Sequence, residues 1–140
     1  MVAMSAAAPL LSQAGQRLFA RLVRAFPGHV VLAQVALSRL LSADSLPTHA
    51  PGAPRQRHGV ADFVVCRADF TPLAVVEWDT GARSSEENRE RHRRRHRWLE
   101  DAGIKVLRVV AADLPTEGAL KALVAALPVK APHPLMRQAS

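Results

Sequence analysis

The chain has 140 residues, 49% of them apolar, a formal charge of +7 at pH 7 and a pI near 11.2. That length supports one domain with a real core and excludes two, while the surplus of positive charge favours a polyanionic partner, with nucleic acid the leading candidate. The single cysteine, Cys66, excludes an intramolecular disulfide and a cysteine-built zinc site.

A lone thiol fits a reducing, cytoplasmic setting. Met1–Leu11 is apolar but carries no basic leading region and is too short to span a bilayer, so neither a signal peptide nor a membrane segment is expected. The folded domain is expected over residues 10–127, between a disordered N-terminus (1–9) and a proline-containing disordered tail (128–140).

In chain order, Leu10, Leu11, Ala14, Leu18, Leu22, Val23 and Phe26 recur at helical spacing, with Arg17, Arg21 and Arg24 outside the stripe. Ser12 is suited to cap this helix and Pro27–Gly28 to stop it. The apolar, β-branched run His29–Leu37 predicts a strand, followed by a turn of helix at Ser38–Leu41. Residues 42–59, broken by proline and glycine and without a period, predict a mobile surface loop.

Two valine-rich runs, Val60–Cys66 and Pro72–Trp78, flank a polar break at Arg67–Thr71 and predict a hairpin. With the turn centred on Asp69 and Phe70, Asp62 falls opposite Glu77 and shares its face. Side chains alternate along a strand, so Asp79 joins Glu77 while Trp78 points the other way. Three carboxylates gathered on an apolar sheet repel one another and lose hydration. They call for a divalent cation, an arginine, or protonation of one of them. A hard cation such as Mg²⁺ (or Mn²⁺) suits an all-oxygen site, since it needs only one or two carboxylates beside water and substrate phosphate.

Ser84 and Glu87 have the spacing of a capping box at the head of a helix that Gly103 ends. Its middle, Arg89-Glu90-Arg91-His92-Arg93-Arg94-Arg95-His96-Arg97, is too charged to be buried all round. Pairs at spacing four, Glu87–Arg91 and Glu90–Arg94, absorb part of that charge. Lys105–Val110 reads as a further strand. Thr116–Leu127 reads as an amphipathic helix with Leu120, Leu123, Val124 and Leu127 inward and Thr116 or Pro115 as cap.

The motifs D-F-V-V-C at Asp62, L-A-V-V-E-W-D ending at Asp79, and L-E-D-A-G-I-K-V-L-R-V from Leu99 resemble the PD-(D/E)XK nuclease superfamily. Within it, the closest likeness is to the bacterial domain-of-unknown-function family 2726, akin to very-short-patch-repair-type endonuclease domains. The resemblance spans about residues 10–127. It implies a restriction-endonuclease-like three-layer α/β core, with a mixed central sheet of about four strands flanked by helices. It further implies that Asp62 and Glu77 are metal-binding acids and that Asp79, the third catalytic candidate, stands where the superfamily has its lysine.

The sequence departs from that pattern in four places. Gly15 occupies a position that usually carries an acid. Arg83 stands where a histidine is expected. Arg95 replaces a lysine of the helix motif, and His92 and His96 replace its aspartates, while Arg91 and Leu99 are kept. Two functions follow as expectations: a Mg²⁺-dependent nuclease acting on DNA, or a decayed nuclease fold that binds nucleic acid without cutting. Arg91, Arg95 and Arg83 are the expected phosphate contacts, with Arg91 and Arg95 facing the acids and Arg93 and Arg97 facing solvent. His92 and His96 are the candidates for general base, because an arginine stays protonated.

Overall fold

A computed structural model describes residues 6–41, 59–79, 81 and 85–127. The elements are α1 (Gln13–Ala25), β1 (Val30–Ala36), α2 (Leu37–Leu40), β2 (Val60–Cys66), β3 (Pro72–Asp79), α3 (Glu86–Asp101), β4 (Lys105–Val110) and α4 (Glu117–Ala126). The expected disordered tail, the expected mobile loop except Gly59, and residues 1–5 of the expected disordered N-terminus lie outside the described residues. Among the described residues no helix is long and apolar enough to cross a membrane.

The four strands form one open mixed sheet in the order β1-β2-β3-β4, antiparallel except for the parallel β3–β4 pair that α3 connects. Alternation splits the apolar side chains between two clusters. Phe63, Val65, Ala74, Val76, Leu107 and Val109 meet Leu18 and Leu22 of α1 and Leu120 and Val124 of α4 on one face. Val64, Cys66 and Val75 meet Leu37 of α2 and Leu99 at the end of α3 on the other. The result is the three-layer α/β core that the sequence predicts. Burial, seconded by the charge of Asp69, pushes the Cys66 thiol above its ordinary pKa.

Element ends are set by local chemistry. Ser12 caps α1, its hydroxyl accepting from the Gly15 N–H at 3.1 Å, and Leu10 is left exposed ahead of the helix rather than starting its stripe. The cap of α3 is Ser85, which accepts from the Asn88 N–H at 3.2 Å. The expected cap, Ser84, lies outside the described residues, and either of two adjacent serines can cap, so the starting residue decides between them. Thr116 caps α4. Leu123 is exposed instead of inward, because Leu120 and Val124 already define the buried stripe.

The arginines outside the α1 stripe do more than meet solvent. Arg21 donates to the Leu114 and Pro115 carbonyls at 3.1 and 2.8 Å, and Arg24 pairs with Glu117, tying α1 to the start of α4. At the far end of α3, Gly103 takes φ +83°, which lets the Ile104 N–H reach the Leu99 carbonyl at 2.9 Å and turns the chain back into β4. Helix α3 is therefore moored by its C-terminal apolar residues, Trp98 and Leu99, while its arginine-rich part rests on polar contacts.

One strand residue breaks the regular backbone. Gln34, in the middle of β1, has φ +57°, and the register on either side, Ala33 with Phe63 and Val35 with Ala61, sets it across from Asp62. A left-handed residue with a Cβ costs about 1–2 kcal/mol. Gln34→Gly is therefore expected to hold or raise stability by up to about 1 kcal/mol. Gln34→Val, though favoured in ordinary strands, should lower it by about 1–2 kcal/mol. Urea unfolding of the two variants checks this, and a more stable valine variant would contradict the left-handed backbone.

Candidate functional site

The hairpin register places the acids. Phe63 pairs with Val76 and Val64 with Val75, so Asp62 stands on the next rung opposite Glu77. Trp78 packs with the α1 and α4 cluster, which leaves Glu77 and Asp79 on the face covered by α3. Glu77 is the one polar residue in the buried interior among the described residues, 8% exposed.

Each carboxylate has a different partner. Glu77 Oε1 accepts from Arg95 Nη2 at 2.8 Å and Oε2 from His96 Nε2 at 2.7 Å. Asp79 Oδ2 pairs with Arg108 Nη2 at 2.9 Å, and its Oδ1 accepts from the Gly81 N–H at 2.9 Å. Asp62 Oδ2 accepts from the Trp78 backbone N–H at 2.8 Å and has no ion pair among the described residues.

The pKa directions follow from these surroundings. Burial raises the pKa of Asp62; the Trp78 N–H opposes that rise and the charge of Glu77 adds to it. Burial also acts to raise Glu77, but the His96 hydrogen bond and the Arg95 charge outweigh it, and its pKa lies below the ordinary value. Two of the acids are thus answered by arginines, and the third is biased toward protonation.

Helix α3 brings Arg95 and His96 to Glu77 because they are neighbours on its sheet-facing side. Arg95 Nη2 also lies 2.9 Å from His92 Nδ1. A guanidinium can only donate, so His92 Nδ1 is the acceptor and the ring is neutral. Burial, then the Arg95 charge, lowers the His92 pKa in the same sense. Arg95 Nε is buried without a hydrogen-bond partner among the described residues.

Of the expected phosphate contacts, Arg95 reaches the acids and Arg91 does not. Arg91 donates to Asn88 at 2.7 Å and stands 4.0 Å from Glu87, both on its own helix. Arg83 lies outside the described residues. The Glu90–Arg94 pair forms at 3.4 Å. Arg93 and Arg97 reach Glu90 at 2.9 and 3.6 Å, and with His96 they line an open concavity of about 480 Å³. His96 consequently borders both Glu77 and that opening.

The sequence reading missed Arg108 and did not foresee His96 as a partner of Glu77. Arg108 had a signal, as a charge set among the apolar residues Val106, Leu107, Val109 and Val110 of its strand. His96 had none beyond its position one residue after Arg95.

Among the described residues no group of three or more His, Cys, Asp and Glu side chains stands ready to share a metal ion. The oxygen donors nonetheless fit a hard cation. Asp62 and Glu77 are opposed carboxylates, and a divalent charge would offset both the burial and the mutual repulsion that disfavour ionised Asp62.

A protein-family model, described as "Protein of unknown function (DUF2726)", matches residues 7–127. No curated protein and no solved structure matches the chain.

Glu77 has a lowered folded pKa, so its contribution to stability is fully present at neutral pH and is lost as pH falls below the ordinary carboxylate range toward that lowered value. Asp62, with a raised pKa, acts in the opposite sense and opposes folding once ionised. Removing one partner of a buried pair costs about 3 kcal/mol. Urea unfolding should therefore show Glu77→Gln losing about that much at pH 7 and far less at pH 3, with Asp62→Asn gaining stability at pH 7. A pH-independent loss in Glu77→Gln would count against the ion pairs described.

Proposed function

The chain belongs to the DUF2726 family, and from that premise we propose that it is a Mg²⁺-dependent nuclease of PD-(D/E)XK type acting on DNA phosphodiester bonds. The observation that carries this reading is the Asp62–Glu77 pair. Two carboxylates stand on facing rungs of one hairpin beneath an arginine-rich helix, and one of them has no ion-pair partner among the described residues. A cytoplasmic setting and a DNA partner go with it.

Asp62 and Glu77 would hold the Mg²⁺ (or Mn²⁺). The chemistry the ion supplies when bound is polarisation of the phosphate and activation of water. With such an ion on the carboxylates, Arg95 would exchange Glu77 for the phosphate, to which it could offer its Nε, buried and without an acceptor among the described residues. Of the two histidines, His96 is the better general base. His96 Nε2 donates to Glu77, which fixes the ring and keeps Nδ1 for the proton. His92 already spends its Nδ1 lone pair on Arg95.

Cleavage of plasmid and single-stranded DNA in Mg²⁺ or Mn²⁺ tests this. The purified protein should cut, an Asp62→Ala/Glu77→Ala variant should not, and His96→Ala should lose about 10²–10⁴-fold in turnover while still binding DNA. Wild-type cleavage no greater than that of the double variant would refute the nuclease.

A second reading, a nuclease fold that binds nucleic acid without cutting, is favoured by one observation. Both Glu77 oxygens are already engaged, by Arg95 and His96. A ligand that binds only the folded state raises its melting temperature. On this reading millimolar Mg²⁺ leaves the melting temperature unchanged, and a rise that disappears in Glu77→Ala rules it out.

A further inference from the structure

We propose that Arg108 is the residue that binds a backbone phosphate of the nucleic acid, and that Asp79 is its positioning residue. The inference rests on the DNA-acting reading above and names a phosphate contact beyond the one given there to Arg95. Parallel pairing sets Arg108 of β4 beside Glu77 of β3. Leu107 and Val109 pack into the opposite cluster, so alternation puts Arg108 on the α3 face with Glu77 and Asp79. An anion bound to Arg108 would therefore lie next to the acid pair.

The two arginines on this face differ in what they have left to give. Without a metal on the acids Arg95 pairs with Glu77, and its side chain is only 17% exposed. Arg108 is 64% exposed and, among the described residues, is held through one Nη, which leaves the rest of its donor fork to an incoming phosphate. Its charge already reaches the site. Behind burial and Arg95, Arg108 is among the charges that lower the pKa of His92 on α3.

Stability does not account for the Asp79–Arg108 pair, because an ion pair of such exposure adds little. The pair is nonetheless fixed, since the Gly81 N–H holds the other oxygen of Asp79 and so sets the carboxylate's orientation. A carboxylate so held preorganises the guanidinium it binds. Asp79 thus serves the site through Arg108.

The test is binding of a fluorescent single-stranded oligonucleotide across a salt series in EDTA, where neither metal nor cleavage enters. Arg108→Ala should weaken binding roughly tenfold and lower the slope of log K against log salt by about one. Arg108→Lys should keep the slope with weaker affinity, because it keeps the charge and loses the fork. Arg67→Ala, the same charge change at the hairpin turn, should do much less. Asp79→Ala is the decisive variant. It removes a negative charge beside a polyanion, which by electrostatics alone tightens binding, whereas loss of the tether weakens it; Asp79→Asn should restore part of the affinity. Thermal melts confirm that each variant is folded. Tighter binding by Asp79→Ala, or equal effects of Arg108→Ala and Arg67→Ala, overturns the proposal while wild-type binding upholds the DNA reading. Wild type that does not bind at all overturns both.

Discussion

The Glu77 carboxylate is the constraint around which this molecule is arranged. It sits in the interior at 8% exposure, on a sheet whose next rungs toward the turn are Phe63–Val76 and Val64–Val75. A carboxylate there is tolerable only if both oxygens find hydrogen-bond donors and a cation stands beside it. Arg95 and His96 meet that need from α3. The same two bonds position the helix, because only Trp98 and Leu99 at its end offer much apolar surface to the core. Helix and acid depend on each other: without Glu77 the arginine-rich part of α3 has little to rest on, and without α3 Glu77 could not stay ionised.

The remaining charges on α3 are managed within the helix. Glu86 and Glu90 reach Arg89, Arg93, Arg94 and Arg97 along the exposed side. Such pairs contribute little to stability, but they hold the arginines in a defined array while the helix keeps a net positive charge. His96, which borders the concavity lined by Glu90, Arg93 and Arg97, also hydrogen-bonds the buried acid.

The hairpin and its flanking strands form a transverse row: Gln34, Asp62, Glu77 and Arg108, one from each strand. Both ends of that row are unusual, Gln34 in its left-handed backbone and Arg108 in an exposed pair whose strength cannot be its purpose. Strained backbone and weakly used charge tend to collect where a fold serves a ligand rather than its own stability. Here they bracket the two acids.

By itself the sequence determined the elements and the facing of Asp62 and Glu77 across the hairpin. Two short apolar runs, Val60–Cys66 and Pro72–Trp78, joined by a polar turn centred on Asp69 and Phe70, set a register in which Asp62 faces Glu77, and the strands pair in that register. Ser12 and Thr116 were legible as caps for the same reason: the chemistry is local. Only the tertiary structure decided which cation answers which acid. Helical spacing grouped Arg91 with Arg95, yet the way α3 lies on the sheet turned Arg95 and His96 inward and left Arg91 with Asn88. Arg108 reached Asp79 through a parallel pairing that α3 closes, a contact between residues far apart in sequence. Packing between layers sets such contacts, and no periodicity within one segment carries them.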